Sequence, residues 1–296
     1  MMWNINSKID TLIQSYHEIF YTNADPRIRD KFLMGNPALI TTIYIVYIFF
    51  IKVVLKKFMK NRPPFRLKIF ENFLVFLLFG SSLYFFIISS NVWFFHYNWK
   101  CEAIDRSKSS LAMWAVNNSY LYLLSKFFYI FESVVLSLRK NHSYLETYLL
   151  IHHFFYPIGI WSTINYFPGG HALFLGFVNS FAHTVMFGYH LIANNFCMKL
   201  KLYRFKGAVN GLMLIIQLIL FFPHTIQLFF KNDCNFPIEY PILVFVVIFT
   251  ALPFIIIFVI PRAFKYHKSK LITRQNLQIQ KTNLTLSYDL EKIEQT

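Results

Sequence analysis

The sequence predicts an all-α, polytopic membrane protein, a bundle of seven transmembrane helices. Three observations carry that reading. The 296-residue chain is 56% hydrophobic and 15% charged, well under the ~25% charge of a soluble domain. Its apolar residues gather into seven stretches near the ~20 residues that cross a bilayer. Its basic residues collect at alternate junctions between those stretches.

Residues 1–37 are polar and mixed in charge, and they read as an N-terminal segment without a cleavable signal. Residues 38–261 read as one membrane domain. Its spans are Ala38–Leu55, Ile69–Ser90, Leu111–Leu138, Tyr144–Phe167, His171–Asn194, Phe205–Phe230 and Glu239–Pro261. The third is interrupted by Asn117, Asn118, Ser119 and Lys126. Residues 262–296 read as a polar tail.

A formal net charge of +15 is compatible with nucleic-acid binding, but its distribution points to membrane topology. Lys56, Lys57, Lys60, Arg62, Arg66 and Lys68 follow the first span without an acid. Arg139 and Lys140 follow the third, Lys199, Lys201, Arg204 and Lys206 the fifth, and Arg262, Lys265, Lys268 and Lys270 the seventh. The opposite connections are nearly neutral. Lys/Arg excess marks the cytosolic side, so the N-terminus is expected to be lumenal or extracellular and the C-terminus cytosolic. Cys101 and Cys234 then share the non-cytosolic side, where thiols oxidise, and a disulfide between them is predicted.

Ionisable side chains are costly in a bilayer, so they mark candidate sites. His152 and His153 sit inside the fourth span and His183 inside the fifth. At ~1.5 Å per residue, His152 lies about 12 Å from the cytosolic end, His183 roughly 16 Å and Glu132 about 10 Å. Three segments therefore bring ionisable groups to one layer. Asn179, His183 and His190 share a helix face. His190 and Asn179 also suit interhelical hydrogen bonding. Lys126 is expected to pair with an acid, snorkel, or border the substrate. His96, His171 and His224 fall near the lumenal interface and are expected to be solvated.

The ten histidines complete no di-iron cluster; a lone zinc site from His152, His153 and His183 fits geometrically, but no metal is expected, and no P-loop or dinucleotide glycine pattern is present. Histidine can itself serve as a nucleophile, forming an acyl-imidazole. A narrow tunnel inside the bundle would suit an acyl chain, and the basic rim would hold the phosphates of a carrier such as coenzyme A.

From about Asp25 to Arg262 the chain resembles the ELO family of very-long-chain fatty acid elongases, membrane 3-ketoacyl-CoA synthases. Asp25-Pro26-Arg27 precedes the first span. Cys101, Asp105 and Ser107 match the loop before the third, and Lys126 opens a segment ending in Leu138-Arg139-Lys140. The histidine box follows, then Pro168-Gly169-Gly170, then Asn179, His183, Met186 and Tyr189, similar to the family's N-x-x-x-H-x-x-M-Y-x-Y pattern. The departures are specific. The family box reads H-x-x-H-H, and Leu149 stands at its first position. Glu132-Ser133 replaces an Asp-Thr pair, Tyr129 an earlier acid, and Phe187 a tyrosine; Asn210 aligns loosely with a glutamine.

The resemblance implies that an acyl-CoA acylates a histidine and that malonyl-CoA then decarboxylates and condenses, extending the chain by two carbons. It assigns His152 and His183 as acyl acceptors. His153 would polarise the thioester, Asn179 would orient His183, and Glu132 would orient a histidine or carry a proton. Arg139, Lys140, Lys201 and Arg204 become candidates for the CoA phosphates, with His190 and Lys126 as further substrate contacts. No cofactor is implied beyond the substrates acyl-CoA and malonyl-CoA. The implied setting is the endoplasmic reticulum membrane, in contact with lipid, with a reductase and a dehydratase of the cycle as partners, a homo-oligomer as one possible assembly, and no nucleic acid. Leu149 raises the alternative of an impaired relative that binds acyl-CoA without condensing. A seven-helix receptor would share the topology, but it would put its pocket on the opposite side.

Overall fold

The computed structural model describes residues 2–140, 144–195 and 206–254, with residues 272, 275, 276 and 280. Among them every regular element is helical. Helix α1 spans Met2–His17, α2 Pro37–Phe49, α3 Lys56–Met59, α4 Lys68–Phe95, α5 Ser110–Ser125, α6 Phe128–Leu138, α7 Tyr144–Tyr166, α8 Leu173–Asn195, α9 Lys206–Phe230 and α10 Glu239–Phe254. A π-helical turn, Phe50–Leu55, joins α2 to α3.

Among the described residues, five helical stretches are long and apolar enough to cross a membrane: Pro37–Met59, Lys68–Phe95, Ser110–Leu138, Gly170–Asn194 and Ala208–Phe230. The chain is a multi-pass membrane protein. Of the other two expected spans, the fourth is the 23-residue α7. The seventh is α10, described to Phe254; residues 255–261 lie outside the described residues. Phenylalanines such as Phe70, Phe73 and Phe76 stand exposed along α4, as a lipid-facing surface requires.

Local chemistry sets the helix ends. Asn36 caps α2, its side chain accepting from the Ala38 N–H, with Pro37 at the first turn. Ser109 caps α5 by accepting from the Ala112 N–H. The expected third span is two helices, broken at Lys126-Phe127. That break falls where the apolar pattern carries its one lysine.

Helix α7 is central: it packs against α2, α5, α6 and α10, while α8 lies between α4 and α9. One core joins Ile28 and Met34 to Tyr44 of α2, Leu123 of α5 and Trp161 of α7. A second joins Trp93, Phe174, Phe236 and Tyr240. At that end Cys101 and Cys234 form a disulfide, with Cα atoms 5.5 Å apart across 133 residues of sequence.

The N-terminal segment is pinned to the same end of α7. The Asp25 N–H donates to the Asn165 carbonyl at 2.8 Å. Gly35 N–H donates to Asn165 Oδ1 at 3.0 Å, and Trp161 Nε1 donates to the Leu33 carbonyl at 2.7 Å. Arg27 grips Asp25 through three hydrogen bonds and reaches the Asp105 and Ser107 carbonyls. Burial alone would raise the Asp25 carboxyl. The Arg27 hydrogen bonds and charge, aided by Arg106, outweigh it and hold that carboxyl below its ordinary value.

His171 departs from expectation. It is fully buried rather than solvated. Its ring stacks on His224 at 3.8 Å, and its Nε2 lies 2.7 Å from the His224 carbonyl. The Pro168-Gly169-Gly170 turn folds it inward, and Gly170, at φ +55°, leaves room for no side chain against Ala103 and Glu102.

Candidate active site

Two helices bring the candidate histidines together away from the disulfide end. His152 and His153 project from α7, and His183 from α8. The His152 and His183 ring centroids are 6.5 Å apart, and those of His152 and His153 5.7 Å. His153 and His183 are buried. Tyr129 of α6 lies between them, edge-on at 5.8 Å and 5.4 Å. Its hydroxyl meets Ser82 of α4 at 3.2 Å. Lys126, Tyr129, His152, His153, Tyr156, Pro157 and His183 enclose a cavity of about 10 Å³. Pro157 has no N–H to give to the His153 carbonyl, so the helix is loosened beside this cavity.

The hydrogen bond made by His183 fixes its chemistry. Nδ1 lies 2.8 Å from the Asn179 carbonyl. A carbonyl only accepts, so in the neutral ring the proton sits on Nδ1 and Nε2 keeps its lone pair. His153 Nδ1 meets Ser133 Oγ at 3.3 Å. Its Nε2 lies 3.9 Å from Glu132, within ion-pair range and beyond a hydrogen bond.

Asn179 orients His183 through its backbone, not its side chain. The side-chain Oδ1 accepts from Tyr122 at 2.6 Å and from Lys126 Nζ at 3.1 Å. Nδ2 donates to Gln217 of α9 at 2.9 Å. Lys126 neither snorkels nor meets a carboxylate among the described residues; it is 5% exposed. Its ammonium lies over the rings of Tyr122, Tyr129 and Tyr156 at 3.9, 4.9 and 5.5 Å. Facing π surfaces and a carbonyl oxygen stand in for water around a buried cation.

The remaining candidates lie apart. His190 meets Asn210 of α9 at 3.0 Å, an interhelical bond. Arg139 forms an ion pair with Glu71 at the start of α4, so its charge is already met. Lys140 follows at φ +52°. Lys201 and Arg204 lie outside the described residues. Leu149 is half-buried one turn before the histidine pair. Tyr122, Tyr156 and Gln217 were missed from sequence. Gln217 carried a usable signal as a glutamine midway along an apolar run, whereas the tyrosines did not stand out among 18.

The fold and this cluster define a class: a helical membrane protein with histidines gathered among its helices. Residues 32–270 match the ELO: GNS1/SUR4 family. The chain belongs to that family. It is 33% identical over 226 residues to very long chain fatty acid elongase 7 of Drosophila melanogaster, covering 76% of this chain and 68% of the relative. It is 32% identical over 253 residues to very long chain fatty acid elongase 1 of Mus musculus, covering 84% and 88%. The human elongase 1 is 30% identical over 239 residues, covering 80% and 84%.

Proposed function

We propose that this protein elongates fatty acyl-CoA by condensing it with malonyl-CoA. The observation that carries the reading is the buried His183, whose Nδ1 bond to a carbonyl leaves Nε2 a nucleophile, with His152 beside it. A histidine Nε2 attacks the acyl thioester; the C–N bond forms, the C–S bond breaks and coenzyme A leaves. Malonyl-CoA then loses carbon dioxide, and its enolate carbon attacks the acyl carbon. The C–N bond breaks, freeing the histidine and a 3-ketoacyl-CoA two carbons longer. A cavity this small, walled by buried side chains, keeps bulk water from the acyl-imidazole and so slows its hydrolysis. His153 and the Lys126 ammonium stabilise negative charge on the thioester oxygen or enolate. Glu132 serves His153.

In this reading seven spans enclose an acyl tunnel, with the N-terminus in the lumen of the endoplasmic reticulum and the C-terminus in the cytosol. The coenzyme enters from the Arg139 end, where Lys140, Lys201 and Arg204 supply charge. A reductase and a dehydratase complete the cycle. Leu149 supports a second reading, a relative that binds acyl-CoA and does not condense.

Malonyl-CoA-dependent carbon dioxide release from the purified protein separates the two. Release that is lost in His152→Ala and in His183→Ala supports condensation on histidine. Acyl-CoA binding without release supports the silent relative.

A further inference from the structure

A second cavity, of about 60 Å³, lies beyond the histidine pocket toward the disulfide end. Its walls are largely apolar and include Phe85, Ile88, Ile160, Ile164, Phe167 and Leu175. Helices α7 and α8 line both cavities; α6 adds Tyr129 to the histidine pocket, and α4 and α5 add to the apolar one. On α7, Tyr156 in the histidine pocket is followed at helical spacing by Ile160, Ile164 and Phe167. On α8, His183 is preceded by Ser180 and Gly176, and on the α5 side Lys126 is preceded by Tyr122 and Ser119. The run from Tyr156 to Phe167 is about 16 Å at ~1.5 Å per residue.

Tyr122 and Tyr156 meet between the two cavities. Their hydroxyls are 2.8 Å apart. Tyr122 spends its one proton on Asn179 Oδ1, so Tyr156 donates to Tyr122. The Tyr156 ring stacks on His152 at 5.1 Å, and the Tyr122 ring is packed edge-on by Phe85 at 5.3 Å. Opposite Tyr122, Gly176 has no side chain, leaving the ring space beside α8.

We propose that the Tyr122–Tyr156 pair is a gate that sets acyl-chain preference by separating the histidine pocket from the apolar cavity. This deepens the elongase reading and rests on it. A short acyl chain held on the histidines ends before the tyrosine pair. A longer one reaches the apolar cavity only after the tyrosine–tyrosine hydrogen bond breaks and a ring turns aside. The long chain therefore carries the cost of one part-buried hydrogen bond, and the short chain does not.

The test measures binding, so it does not depend on condensation. Apparent affinities for hexanoyl-, decanoyl- and stearoyl-CoA are taken from ligand-induced thermal stabilisation of the purified full-length protein. The wild type is compared with Tyr156→Leu, which opens the passage, and Tyr156→Phe, which keeps the ring and loses the bond. Relative to the wild type, the stearoyl-to-hexanoyl preference is expected to rise about three- to tenfold in Tyr156→Leu and by less in Tyr156→Phe. A stearoyl-CoA bearing a photoreactive group at its tail should label the segment from Ile160 to Phe167, more strongly in Tyr156→Leu. Labelling of the wild type alone at that segment, with preference unchanged in Tyr156→Phe, overturns the gate even if Tyr156→Leu misfolds. If the wild type binds acyl-CoA and neither variant shifts the preference, the gate falls and the elongase reading stands. If the wild type binds no acyl-CoA, both fall.

Discussion

Replacing Asp25 with asparagine is expected to destabilise the folded protein by about 3 kcal/mol at neutral pH. The Asp25 side chain is wholly shielded from solvent and that of Arg27 is 5% exposed. Arg27 donates to it three times, from its backbone N–H and Nε at 2.9 Å and from Nη2 at 2.7 Å. Removing one partner of such a pair costs ~3–5 kcal/mol, because the other charge stays buried without its counterion. The lower end applies here, since Arg27 Nη1 keeps the Asp105 and Ser107 carbonyls at 2.7 and 2.9 Å. For a domain of this scale that is on the order of 5–10 °C in melting temperature. The pH dependence has a definite sign. The folded-state Asp25 carboxyl titrates below its ordinary value. Its stabilisation is therefore complete above the ordinary carboxylate range and is lost as pH falls through the lower, folded value. The assay is thermal unfolding of wild type and Asp25→Asn in detergent from neutral to acidic pH. Equal melting temperatures at neutral pH, or a gap that does not close under acid, would refute the reasoning.

Three further outcomes follow from the geometry. Gly170→Ala puts a Cβ 2.5 Å from the Ala103 carbonyl oxygen at φ +55°, so a loss of at least ~2 kcal/mol is expected; an unshifted melting curve would remove the close approach from the account. Asn179→Leu removes the acceptor of the Tyr122 hydroxyl and the Lys126 ammonium and the donor to Gln217, leaving Tyr122 its contact with Tyr156 and Lys126 its ring contacts, with an expected cost of about 3 kcal/mol in thermal unfolding; a change under about 1 kcal/mol would show the network is not holding α5, α8 and α9 together. Leu149→His is expected to raise the rate of carbon dioxide release by at least ~10-fold, if the missing box histidine acts as a polarising donor; an unchanged rate would mean this site does without that group.

The residues of α7 and α8 that draw attention in the sequence, His152, His153 and His183, stand out because charge and polarity are rare in an apolar run. Membrane spans were legible for the same reason: each is a local count of apolar residues, and five long apolar helices stand among the described residues. The common depth of the histidines followed from helical rise alone. What the sequence could not supply was the rotation of each helix about its axis. A membrane helix is apolar on every side, so periodicity does not say which face meets which neighbour. That rotation turned Lys126 into a cage of tyrosines instead of toward an acid, and gave Arg139 to Glu71. It also set the Asn179 side chain on Tyr122 and Gln217, leaving its backbone to hold His183. Tyr122 and Tyr156 look from sequence like two aromatics among many. Only the packing of α5 against α7 and α8 brings their hydroxyls within hydrogen-bond reach between two cavities. The sequence by itself determined the membrane class and the polar groups set within its apolar runs; the tertiary structure decided their partners, because a hydrogen bond between helices depends on positions far apart in the chain.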